Sequence, residues 1–160
     1  MKKINIEIEM ENGGIIKAEL YPEIAPITVE NFVGLIENNF FDGLIFHRVI
    51  KGFMIQGGGY DVNGNQKPAK SIKGEFASNG VENKLLHVRG VLSMARTMIP
   101  DSASSQFFIM HMDAPHLDGQ YAAFGQVTDG MDVVDAIADE RTDFADKPLN
   151  DCVIKTMRIV

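Results

Sequence analysis

A chain of 160 residues with 45% hydrophobic and 23% charged side chains has the make-up of a globular protein, and its length suits a single domain over residues 1–160. Fifteen basic against 22 acidic side chains leave a net charge of −7, which argues against a broad phosphate-binding face or an anionic-membrane surface, so neither nucleic acid nor membrane is an expected partner. Cys152 is the single cysteine, which excludes an intrachain disulfide, fits a reducing cytoplasmic location and reads as a small buried hydrophobe.

Ile4, Ile6, Ile8 and Met10 alternate with Asn5, Glu7 and Glu9, the pattern of a half-buried strand rather than the apolar run of a signal peptide. Asn12-Gly13 predicts a tight hairpin turn, and Ile16, Ala18 and Leu20 continue on the return strand. Pro26-Ile27-Thr28 opens a helix with Thr28 as its N-cap, an apolar stripe of Val29, Phe32, Val33 and Ile36, and an end at Asn38-Asn39. Further strands are expected over residues 44–48, 53–56, 91–95, 106–110 and 122–127. The segment between Gly57 and Gly90 has little periodicity, and a stretch of that length is expected to be functional or to wrap the core. After Gly130, Met131, Val134 and Ile137 recur at helical spacing against Asp132, Asp135 and Asp139. Cys152, Ile154 and Thr156 begin a closing strand to Val160. Many short strands without regular strand-helix-strand alternation predict a mainly β fold: a closed antiparallel barrel whose open ends are covered by two helices.

The run Phe46-His47-Arg48-Val49-Ile50-Lys51-Gly52-Phe53-Met54-Ile55-Gln56-Gly57-Gly58 carries the chemistry. Strand alternation puts Arg48, Met54 and Gln56 on one face, and Phe53 joins them only if the chain bends at Gly52. An arginine beside aromatic, thioether and amide groups, with no carboxylate in the run, is poorly suited to proton transfer. It suits a site that grips a neutral, partly apolar group and offers one strong hydrogen bond. Two more blocks follow: Gly90-Val91-Leu92-Ser93-Met94-Ala95-Arg96 with Ser105-Gln106-Phe107-Phe108-Ile109, then Pro115-His116-Leu117-Asp118-Gly119-Gln120-Tyr121 closed by Phe124-Gly125.

In their order and spacing the three blocks resemble the cyclophilins, a family of peptidyl-prolyl cis-trans isomerases, from about Ile4 to the C-terminus. The resemblance implies an eight-stranded barrel capped by two helices, filled by its own side chains, with the site on the outside. It implies that Arg48 donates a hydrogen bond to the prolyl amide and that Phe53, Met54, Phe108 and Leu117 form the proline pocket, with Phe107 in the interior. Gln56 and Gln106 would bond the substrate backbone, while Ala95, Arg96 and Thr97 would lie along the residue before proline. Tyr121 would border the site and His47 would touch it. His116 stands where many relatives carry a tryptophan associated with binding of the drug cyclosporin, so weakened cyclosporin binding is expected. The implied partners are proline-containing peptides and unfolded or nascent proteins; no cofactor is implied, and a monomer is expected.

Other chemistries fit less well. His47, His87, His111 and His116 offer no metal-ligand spacing, and there is no cysteine pair. Ser93 lacks the second glycine of a nucleophile elbow, and Gly57-Gly58-Gly59 lacks the lysine and hydroxyl of a phosphate loop. The remaining alternative at this level is a binding module that captures proline segments without turnover and tolerates loss of Arg48.

Overall fold

The computed structural model describes residues 2–160. Its strands are β1 (Ile4–Met10), β2 (Ile15–Leu20), β3 (Arg48–Ile50), β4 (Met54–Gly57), β5 (Val91–Met94), β6 (Phe107–Met110), β7 (Ala123–Asp129) and β8 (Ile154–Ile159). Helices α1 (Pro26–Glu37) and α2 (Met131–Ala138) follow β2 and β7. All eight strands pair antiparallel in one sheet, in the order β3-β4-β6-β5-β7-β2-β1-β8.

The alternation in β1 does what its period requires. Ile6, Ile8 and Met10 are buried, and the register Ile6 opposite Ala18 and Ile8 opposite Ile16 sets two apolar rows facing one core. Asn12 shapes the hairpin by accepting the Gly14 amide on its side-chain oxygen at 2.9 Å. At the centre, the Phe32 ring from α1 meets Phe41, Phe107 and Phe124 at centroid distances of 5.1, 5.2 and 5.0 Å. The interior is packed with side chains, which leaves only the outside for a substrate.

Three expectations need correction. The sheet curls around the core without closing fully, because β3 and β8 are the ends of the order and do not pair as strands. The seam between them is bridged by irregular chain: Gly43 donates to Ile154 O and Ile154 to Leu44 O (2.8 Å each), Phe46 donates to Cys152 O (3.0 Å), and Ile45 forms a lone bridge with Val153. Leu44, Ile45 and Phe46 are all buried in succession, so this stretch cannot alternate as a strand does, and β3 starts only at Arg48.

Thr28 is not the N-cap of α1. Pro26 occupies the first helical turn and Ala25 the cap, which places Thr28 inside the helix and fully buried. Its amide and hydroxyl both donate to one carboxylate oxygen of Glu75, at 2.6 and 2.8 Å. Glu75 belongs to the long segment after β4, which wraps the core as expected and is pinned by Asn83 donating to Glu75 O and Ala123 O at 2.9 Å. Cys152 is half-buried just ahead of β8, and burial pushes its thiol up to about 11.

Candidate active site

Strand register assembles the outer face. Arg48 of β3 lies opposite Gln56 of β4, Gln56 opposite Phe108 of β6, and Phe108 opposite Ser93 of β5. One row therefore carries a guanidinium, an amide and an aromatic ring across three neighbouring strands. Phe107, one residue earlier, points the other way into the core, whereas Phe108 joins a separate outer cluster with Met54, Met110 and Leu117.

Phe53 reaches this face through a turn. Gly52 adopts a φ of 82°, a conformation costly for any residue with a Cβ, and the Phe53 amide closes back on Ile50 O at 2.9 Å. The buried His111 clamps the turn from below. Its Nδ1 accepts the Gly52 amide at 2.8 Å and its own amide donates to Phe53 O at 2.9 Å. With Nδ1 as acceptor, the ring proton sits on Nε2, which faces Asp135 at 3.2 Å. Arg89 grips the same carboxylate with two nitrogens, at 2.8 and 2.7 Å, and this hydrogen bond holds the Asp135 carboxyl below its ordinary range.

Together these elements frame an outer notch of about 120 Å³. Arg48, Gln56 and Arg96 are its polar edge, Phe53, Met54, Phe108 and Leu117 its apolar floor, and Ala95 and Tyr121 complete the wall. Arg48 Nη1 reaches Gln56 Oε1 at 3.4 Å, and Gln56 Nε2 donates to Gln106 Oε1 at 3.1 Å, so Gln106 stands one hydrogen bond behind the edge. The Arg96 guanidinium lies between the Phe76 and Tyr121 rings, 4.6 Å from each centroid. Tyr121 meets Phe108 edge-on at 5.8 Å.

Three further predicted residues are not part of this lining. Thr97 is turned into its own loop, its amide and hydroxyl both bonded to Ser102 Oγ at 2.9 Å. His116 is an exposed rim residue, its ring 5.8 Å from that of Phe53. His47 lies away from the notch: it has the opposite parity to Arg48, packs on Tyr60 at 4.6 Å and lines a separate hollow with Ala145 and Lys147. Burial first, then the neighbouring Arg48 charge, pushes His47 down to about 4.

Sequence reasoning missed the residues behind the floor. Buried His87 stacks on Phe108 at 6.0 Å, with Nε2 2.8 Å from Ser93 Oγ and Nδ1 3.1 Å from Asp118 Oδ1. Desolvation lowers its pKa against the opposing pull of Asp118. The contacts have the order of a serine–histidine–aspartate triad, but Ser93 is 0% exposed and no substrate carbonyl can reach it. The group supports Phe108. His87 and His111 meet partners up to 59 residues distant, so no local spacing announces them. A larger hollow, about 420 Å³ beside α2, gathers Glu11, Asp132, Glu140 and Asp151 without an arginine, histidine or aromatic ring.

The fold is a curled eight-stranded antiparallel sheet with two helices, and its outer notch pairs a guanidinium with an aromatic floor. The family profile described as cyclophilin type peptidyl-prolyl cis-trans isomerase/CLD matches residues 5–159. A peptidyl-prolyl cis-trans isomerase of Acinetobacter baylyi is 52% identical over 145 residues, covering 86% of this chain and 74% of the relative. A cyclophilin type peptidyl-prolyl cis-trans isomerase of Cryptosporidium parvum superposes with a TM-score of 0.85 at 29% identity, covering 99% of this chain and 98% of that one. The structure of that protein in the presence of the dipeptide Ala-Pro gives a TM-score of 0.83 at 30% identity, covering 98% of both chains. The chain belongs to the cyclophilin-type peptidyl-prolyl cis-trans isomerases, and it is an isomerase enzyme.

Proposed function

We propose that the notch binds the proline ring of an extended segment and that Arg48 catalyses rotation about the preceding peptide bond by hydrogen-bonding the twisted amide. The observation that carries this reading is the row Arg48–Gln56–Phe108, which stands a permanently charged donor beside an apolar floor with no carboxylate to occupy it. Rotation must break C–N resonance, with a barrier of roughly 18–20 kcal/mol. Midway through the turn the prolyl nitrogen regains its lone pair and becomes a hydrogen-bond acceptor. A donor aimed there binds the twisted amide better than either planar isomer, and each tenfold acceleration corresponds to about 1.4 kcal/mol of that preference.

The guanidinium fork can address the prolyl carbonyl and nitrogen together, and it needs no proton transfer. Gln56, backed by Gln106, offers an amide to the substrate backbone. Phe53, Met54, Phe108 and Leu117 receive the ring. The crystallised relative studied with Ala-Pro supports a proline-containing ligand for such a groove. A shallow outer notch reads one proline and its neighbours, so unfolded or nascent chains are its proposed clients and assistance in folding its proposed use.

Exchange measured by NMR on an unlabelled Ala-Pro peptide tests the assignment. Arg48→Ala is expected to lower kcat/KM by at least about 100-fold with its unfolding midpoint unchanged, and Arg48→Lys to be impaired as well, since an ammonium cannot reproduce the fork. Either variant matching the wild type would remove Arg48 from the reaction. Because arginine does not titrate and His47 falls at about 4, the rate is expected to be flat between about pH 6 and 9.

A further inference from the structure

Two of the five arginines are spent on carboxylates. Arg89 is spent on Asp135, and Arg158 spans Glu7 and Glu9 at 3.1 and 2.8 Å. The two arginines on the notch have no such partner among the described residues. Arg48 reaches only the Gln56 amide oxygen. Arg96 donates to the carbonyls of Thr97 (3.0 Å) and Gln120 (2.5 Å), lies between two ring faces, and keeps a buried Nε with no acceptor. Carbonyl dipoles and ring faces hold a guanidinium in place, but they do not cancel its charge. In a chain with net charge −7 and 22 carboxylates, two uncompensated cations on the rim of one 120 Å³ notch form a local positive field against an acidic background.

We infer that the groove selects proline segments with an acidic side chain, aspartate or glutamate, immediately before the proline. The inference rests on the reading of the notch as the proline site. With the ring on Phe108 and Leu117, a residue bonded to the proline lies within a notch lined by both Arg96, beside Ala95, and Arg48. A carboxylate there is attracted by both guanidiniums, a neutral amide of the same shape by neither, and an ammonium is repelled by both. Arg96 is the specificity-determining residue in this arrangement. Arg48 contributes to the field while also serving the reaction.

The test compares three peptides identical except for Glu, Gln or Lys before the proline, with catalysed exchange measured by NMR after subtracting the uncatalysed rate of each. In about 20 mM salt, kcat/KM is expected to fall about three- to tenfold from Glu to Gln and again from Gln to Lys, and these ratios are expected to shrink below about twofold in 500 mM salt, as screening shortens the reach of exposed charges to roughly 4 Å. Arg96→Met keeps an unbranched chain between the two rings while removing the charge and the unpaired donor, and is expected to bring the Glu-to-Gln ratio close to one. Equal turnover of the three peptides at low salt overturns the preference, as does a Glu-to-Gln ratio insensitive to both salt and Arg96→Met. Should the variant fail to fold, the salt series on the wild type decides alone. Wild type that turns over none of the peptides overturns the reading of the notch itself, whereas turnover without discrimination sinks only the selectivity.

Discussion

His47 and Arg48 are neighbours in the chain but occupy different surroundings. The extended backbone sends Arg48 outward to the notch, whereas His47 turns to Tyr60 and leaves its Nδ1 buried without a partner. Burial and the adjacent guanidinium both disfavour the imidazolium, which brings His47 down to about 4 in the folded protein against about 6.5 when unfolded. Between those values the unfolded chain binds the extra proton, so stability rises with pH across this window and is lost as pH falls from about 6.5 toward 4. Urea unfolding of the wild type is expected to show that loss, and His47→Phe, which keeps a ring against Tyr60, to show a smaller one. Parallel pH profiles for the two proteins would exclude His47 as the source. The residue beside Arg48 is thus expected to act on stability in acid, and its nearness in sequence to Arg48 does not bring it to the notch.

At the level of elements, the informative contacts join distant segments. Helix α1 receives its first-turn acceptor from Glu75, 47 residues beyond Thr28. A pattern of Ser, Thr, Asp or Asn near a helix start correctly marks where capping is needed, yet it cannot show that the carboxylate comes from a wrapping loop. Thr28→Val removes the hydroxyl donor while preserving shape, and is expected to cost about 1–2 kcal/mol in equilibrium unfolding. A change below the error of that measurement would mean the Glu75 contact is energetically idle. The Gly52 turn works similarly. Its bend was legible as a condition for Phe53 to reach the face of Arg48, but the clamp from His111, backed by Asp135 and Arg89, spans three separate stretches of chain.

For the molecule as a whole, the decisive feature is how an open sheet wraps onto itself. Its two ends are joined by residues 43–46 rather than by a ladder, and Gly57 sits under that seam. A Cβ at Gly57 would lie 2.7 Å from Ile45 O and 2.9 Å from the Phe46 ring, distances at which backbone must move. Gly57→Ala is therefore expected to destabilise the protein by about 1–3 kcal/mol and to speed hydrogen exchange at Gly43, Phe46 and Ile154, whose amides make the seam. Unchanged exchange at those amides would show that the seam relaxes freely. The same curling brings β3 to the edge of the sheet beside β4 and β6, which lines up Arg48, Gln56 and Phe108 on its outer face.

Local periodicity alone established most of the strands, both helices, the shared face of Arg48, Met54 and Gln56, and the opposite facing of Phe107 and Phe108, though not the bounds of β3, because side-chain direction follows a two-residue or 3.6-residue repeat that each segment carries within itself. Three ordered blocks then sufficed to suggest the family. Tertiary structure alone decided that the sheet stops short of closure, that His47 leaves the notch, that Glu75 serves α1, and that Arg96 stands between two rings without a carboxylate. These depend on which segments meet across tens of residues, and such meetings are set by packing the whole core rather than by any repeat along the chain.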